Sequence, residues 1–165
     1  MSAALIWAEP WIRLGTFASV FALMALSEYF WPVHHLPLRL TRWRTNLGLT
    51  VAATLLLRVA LPVAAVGTAI WAQETGVGLF NYFAMPLLLS LPLSLAGLDL
   101  LIYGQHVAFH RFGLLWRMHK VHHADPALDV TTALRFHPFE IFLSMIIKVA
   151  VVAALGVPPV AVLIF

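Results

Sequence analysis

Apolar positions along the chain fall into four long blocks and a short fifth, separated by brief polar stretches. The first block runs over 11–31, from Trp11 to Trp31, and stops at Pro32. The second covers 46–72 and is interrupted by Arg58 and Pro62. The third covers 79–104, contains Pro86 and Pro92, and carries Asp99 near its end. The fourth opens after His137-Pro138 and continues through Leu155 to Gly156-Val157-Pro158-Pro159. A helix that crosses a bilayer needs about 20 apolar residues. The first three blocks reach that length, and the fourth, at roughly 17, is marginal. The pattern predicts an all-α fold, a polytopic membrane helical bundle.

Local signals sharpen the boundaries. Proline suits the first turn of a helix and an acidic residue favours its N-terminal dipole, so Pro138 and Glu140 predict a helix starting near 138. Gly156 through Pro159 reads as a helix stop and turn. The first block is not a signal peptide by its flanks, since Glu9 precedes it and no Lys or Arg lies before Arg13. The segment 160–165 is a stub, so the sequence is expected to stop partway through a helix, as a fragment would.

Charge sets an orientation. Arg39, Arg42 and Arg44 gather in 32–45, and Arg111, Arg117, Lys120 and Arg135 in 105–137, whereas 73–78 holds only Glu74. Basic residues collect on the cytoplasmic side of membrane proteins. Both basic stretches are therefore expected on the cytoplasmic face, and the net charge of +3 calls for no nucleic-acid partner. Hydrophobic residues make up 62% of the chain and charged ones 10%, against about 25% charge in a soluble domain. An ordinary water-soluble enzyme is excluded. Cysteine is absent, which removes disulfides, thiolate metal sites and cysteine nucleophiles.

Histidine carries the chemistry. Six of the eight fall between 106 and 137. Asp99, Tyr103, His106 and His110 lie on one stripe of a helix, and imidazoles four apart can chelate one cation. The helical zinc-protease motif is absent, because no Glu follows the first His. His119, His122 and His123 share a second helical face, and Gly113 stands where one helix would end and the next begin. Two such helices could aim five imidazoles at one locus. Five nitrogens exceed the usual four-coordinate zinc and point to two metals. Imidazole alone does not choose among iron, zinc, copper and nickel. His137, held before a proline, is expected at the N-cap, as a sixth ligand, a supporting donor or a cap. Asp99 is an acid in an apolar helix and is expected to orient a histidine ligand or to pair with an arginine.

The text His106-Val-Ala-Phe-His110-Arg111, then Leu115-Trp116-Arg117-Met118-His119-Lys120-Val121-His122-His123, then Arg135-Phe136-His137-Pro138-Phe139-Glu140 resembles the fatty acid hydroxylase/sterol desaturase superfamily. Arg42-Trp43-Arg44-Thr45-Asn46-Leu47 is similar to a basic, Asn-containing stretch of that family. The resemblance covers roughly 35–140. It implies a membrane oxygenase with a non-haem di-iron centre that uses O2 to hydroxylate or desaturate a lipid C–H bond. By motif position, His106, His110, His119, His122 and His123 would ligate iron and carry catalysis, with His137 a further histidine at the metal. Electrons would come from an external donor. The family's later histidine box has no counterpart after His137, so weak or absent catalysis by residues 1–165 alone is expected. The competing readings are a membrane metal-binding or metal-transport protein and an inactive fragment with structural metal.

The organisation expected is N-terminal transmembrane helices over 1–98, a histidine-box catalytic region over 99–140 forming a cytoplasmic helical cap, and a transmembrane hairpin over 141–165. Four further positions carry expectations. Arg58, near the middle of the second block, needs a partner such as Glu28, Asp99 or a lipid headgroup. His34 and His35 read as interfacial surface residues, and the six tryptophans as interfacial belts. Lys148 snorkels or faces the bundle.

Overall fold

The computed structural model describes residues 3–32, 39–61, 65–125 and 127–165. Among the described residues the regular structure is helical and contains no strand. The helices are α1 (Ala3–Phe30), α2 (Arg39–Ala60), α3 (Ala65–Thr75), α4 (Leu79–Tyr82), α5 (Leu87–Arg111), α6 (Gly113–His123), α7 (Pro138–Leu155) and α8 (Pro159–Ile164), with a 3-10 turn at Val130–Leu134. Three segments, Leu40–Tyr82, Leu87–Arg111 and Pro138–Leu155, are long and apolar enough to cross a membrane. Leu14–Phe30 is a shorter apolar helix.

Two expected helices are divided differently. In the second apolar block α2 ends at Ala60 and α3 begins at Ala65, and residues 62–64 between them lie outside the described residues. Arg58 consequently sits in the last turn of α2, not in mid-helix, where its charge suits the C-terminal end of the dipole. The third block is also split. Its first residues form α4, and Pro86 caps α5, which then runs on past 104 to Arg111. Both histidines of the first box therefore ride on the helix that holds Asp99. The start of α7 at Pro138 and its end at Gly156 agree with the sequence reading.

Small residues let the backbones approach. Ala65, Ala69 and Ala72 are the buried positions of α3, and they recur on one face. Ala65 and Ala69 join Leu98, Val152, Val157, Ala161 and Val162 in one core shared by α3, α5, α7 and α8. Small residues at helix contacts are how helices pack where lipid supplies no hydrophobic drive. Large apolar side chains such as Leu88, Leu100, Val59 and Leu23 instead face outward.

The turn after α7 locks onto the turn before α4. Gly156 adopts a left-handed conformation (φ 67°), and the N–H groups of Gly156 and Val157 both return to the Val152 carbonyl at 3.0 and 3.1 Å. A side chain on Gly78 would overlap the Gly156 backbone and stand 2.7 Å from the Ala153 carbonyl oxygen. Asn81 Nδ2 donates to the carbonyls of Val77 and Ala72 at 2.6 and 3.0 Å, which holds this turn closed.

A buried polar network ties α2 to the segment after α6. Arg42 grips the Asp125 carboxylate with Nε at 2.7 Å and Nη2 at 3.0 Å, and Nη1 lies 3.0 Å from Asp129 Oδ2. Nη2 also donates to the Ala127 carbonyl. Asn46 donates to Asp125 Oδ2 and Thr131 Oγ1, and accepts from Arg135 Nη1 at 3.2 Å. Asp129 closes a capping box on the 3-10 turn, taking the Thr131 N–H at 2.8 Å while its own N–H donates to Thr132 Oγ1 at 3.1 Å. Arg42 and Arg135 were read as orientation signals and as parts of the motifs that carry the resemblance, and both make structural hydrogen bonds. Trp43 donates to Asp129 Oδ2 at 3.2 Å, so it too is more than an interfacial belt residue. His34 and His35 lie outside the described residues.

Candidate metal centre

The last two turns of α5 and all of α6 build the site. Phe112 takes an extended conformation between them and redirects the chain. The α5 face bearing His106 and His110 is thereby brought against the α6 face bearing His119 and His123. The ring centroids of His106, His110 and His119 lie 4.7 to 4.8 Å apart in every pairing. His123 adds a ring 5.0 Å from those of both His110 and His119. One ligand nitrogen from each of His106, His110 and His119 lies within 4.8 Å of the other two. His122 stands beside this group, its centroid 5.2 Å from His123 and 5.8 Å from His119, and stacks on Phe136 at 4.4 Å and 5°. Its Nδ1 is buried with no hydrogen-bond partner among the described residues.

His119 is the pivot. It is almost fully buried, and its Nδ1 donates to Glu140 Oε1 at 2.7 Å. A ring whose Nδ1–H is held by a carboxylate keeps its lone pair on Nε2. That Nε2 lies 3.2 Å from His123 Nε2. With its Nδ1 held by Glu140, His119 Nε2 can accept a hydrogen bond from His123 Nε2 or ligate a cation. Burial, then the neighbouring His110, holds His119 below the ordinary histidine value. Burial, then the charges of His123 and His119, acts the same way on His122. His123 is more open, and partial burial followed by His119 and His110 lowers it as well. All three rings are thus neutral near pH 7, the form that ligates metal.

The other expected site residues fall as follows. His137 caps α7: its Nδ1 accepts the Phe139 N–H at 3.2 Å. Asp99 is exposed on α5, and the carboxylate that touches a cluster imidazole is Glu140 instead. Glu140 stood in the sequence as a helix-dipole residue; nothing in its spacing shows that α7 crosses behind α6. Trp116 packs its ring 5.3 Å from His110 and 5.7 Å from His123, so it covers the cluster and is not only an interfacial side chain. Asp125 was not singled out at all, yet it anchors the segment that leaves the second histidine box.

A cavity of about 310 Å³ opens from this cluster between α5 and α7, with His106, His119 and Glu140 in its wall. Phe109, Ile141 and Met145 make much of the remaining lining apolar. The donor set suits a borderline or hard metal: three convergent imidazoles, a carboxylate behind one of them, and no thiol anywhere in the sequence. Fold and site together define a helical protein with segments long and apolar enough to span a membrane and a histidine cluster that could hold a metal ion.

Residues 91–165 match the family model described as Fatty acid hydroxylase, a family of the fatty acid hydroxylase/sterol desaturase superfamily. No curated protein and no solved structure matches the chain.

Proposed function

We propose that the protein is a membrane-bound di-iron oxygenase that hydroxylates or desaturates a lipid C–H bond with O2, taking electrons from an external donor. The observation that carries this reading is the convergence of His106, His110 and His119 nitrogens beside an apolar cavity, in a segment that matches the model of a lipid hydroxylase family. His106, His110, His119, His122 and His123 would hold the iron, within a catalytic region spanning 99–140 on the cytoplasmic face. His137 contributes by capping the helix that carries Glu140. Bound iron would supply the electrons and the oxidising power that O2 cleavage and C–H abstraction demand.

The chain's own residues prepare that chemistry. Glu140 fixes the ring plane and tautomer of His119, which raises the basicity of its Nε2. Phe136 stacks on His122 and holds its ring still. Trp116 shields His110 and His123 from water on one side. The apolar cavity admits hydrocarbon and keeps water from the oxidised carbon.

Metal analysis of the purified protein, together with Mössbauer spectra, tests the reading. Two irons per chain with the spectrum of a coupled pair are expected. His119→Ala and His122→Ala are each expected to lose metal, and full metal retention in both would overturn the ligand assignment. The compact three-histidine group also favours a second reading, a single-metal centre such as zinc, because three imidazoles plus an open position is a common zinc arrangement. One equivalent of zinc and no iron would establish it.

A further inference from the structure

Glu140, Ser144 and Lys148 recur at every fourth position of α7, so they form one polar stripe along an otherwise apolar helix. All three line the cavity that opens from the histidine cluster, and Gln105 of α5 lines it from the opposite side. Polar groups within a spanning helix are costly and mark functional positions. The metal centre accounts for Glu140 but for neither Ser144 nor Lys148. The Gln105 side-chain amide donates to the Ser144 hydroxyl, and its buried Oε1 is left with no hydrogen-bond partner among the described residues. A buried polar atom without a partner is costly unless a ligand supplies one. Lys148 Nζ is steadied 4.6 Å from the centre of the Phe165 ring. Three donors on one ammonium allow a ligand bond beside its existing contacts.

Resting on the lipid-oxidising reading above, we infer that Gln105, Ser144 and Lys148 form a subsite for an oxygen-bearing polar group of the substrate. Helical rise puts Ser144 about 6 Å and Lys148 about 12 Å along α7 from Glu140. The substrate class is therefore a lipid whose hydroxyl or carboxylate stands one to two helical turns from the carbon presented to the metal. The hydrocarbon between lies against Ile141 and Met145. A hydroxyl donates to Gln105 Oε1 or accepts from Lys148 Nζ. A carboxylate uses the Lys148 side. A plain hydrocarbon offers neither bond.

Equilibrium binding of octadecanol, octadecanoate and octadecane to the purified protein in lipid nanodiscs tests this, with partition into protein-free discs subtracted. At least a tenfold preference for the alcohol or the acid over the hydrocarbon is expected, and the alcohol-to-acid ratio identifies the oxygen group. Lys148→Met and Gln105→Leu are each expected to cut the preference to under threefold while octadecane binding stays within twofold. Unchanged helical circular dichroism and octadecane binding certify folding, and if one variant fails that check the other decides. Equal binding of all three lipids by the wild-type protein, or a preference kept by every folded variant, would overturn the subsite. Absence of iron would sink the oxygenase reading while the lipid preference still judges the subsite.

Discussion

Replacing Asp125 by asparagine is expected to be among the most damaging single changes outside the histidines. The Asp125 side chain is fully buried and that of Arg42 is 9% exposed, so the pair is screened from water. Burial works against the Asp125 carboxylate, but hydrogen bonds from Arg42, Asn46, Thr132 and the Ala127 N–H outweigh it and bring its pKa from 3.8 down to about 2. Read as linkage, that depression is about 2 kcal/mol of stability at neutral pH. The stabilisation is fully present above the unfolded value of 3.8 and is lost as pH falls through about 2. Asparagine also strands the Arg42 guanidinium beside a neutral amide, and breaking a buried pair typically costs about 3–5 kcal/mol. Asp129, 3.0 Å from Arg42 Nη1, absorbs part of that charge, so a loss of about 3 kcal/mol is expected. Equilibrium unfolding in mixed micelles at pH 7 and pH 3 measures it. The wild-type advantage over Asp125→Asn should shrink at pH 3. A loss under about 1 kcal/mol at pH 7, or a gap that widens on acidification, would refute the reasoning.

Three further outcomes follow from the same structure. Glu140→Gln replaces the charged acceptor on His119 with a neutral amide and should weaken metal affinity about 10–100-fold in competition titrations, with the protein still folded. His137→Ala removes a helix cap and should cost about 1 kcal/mol of stability with metal content intact, whereas His119→Ala should abolish metal binding; loss of metal in the His137 variant would make that residue a ligand. Gly78→Ala forces a Cβ into the Gly156 backbone at a positive φ (97°) and should lower the unfolding free energy by more than about 1 kcal/mol in equilibrium unfolding.

Much of the metal site was legible because it obeys helical spacing. Positions 106 and 110, and 119, 122 and 123, share faces whatever surrounds them, and Gly113 opens the new helix as its place between the boxes implied. The start of α7 at Pro138 and its stop at Gly156 were equally local, set by a missing donor and a permitted left-handed turn. The second apolar block holds two helices, α2 to Ala60 and α3 from Ala65, on either side of the interruption that Pro62 marks in the sequence. Basic clustering reads as orientation, but Arg42 meets Asp125 across 83 positions of chain, and no periodicity reports such a pair.

The amino-acid order by itself thus determined the apolar segments, most of the helices and the histidine faces, since each depends on neighbours within a few turns or on composition. Only the tertiary structure decided which carboxylate stands behind His119, that Trp116 roofs the cluster, and that Ser144 and Lys148 of α7 face Gln105 across a cavity. Those are contacts between helices far apart in the chain. They depend on where Phe112 bends the path and on how closely Ala65, Ala69 and the Gly78–Gly156 contact let helices approach.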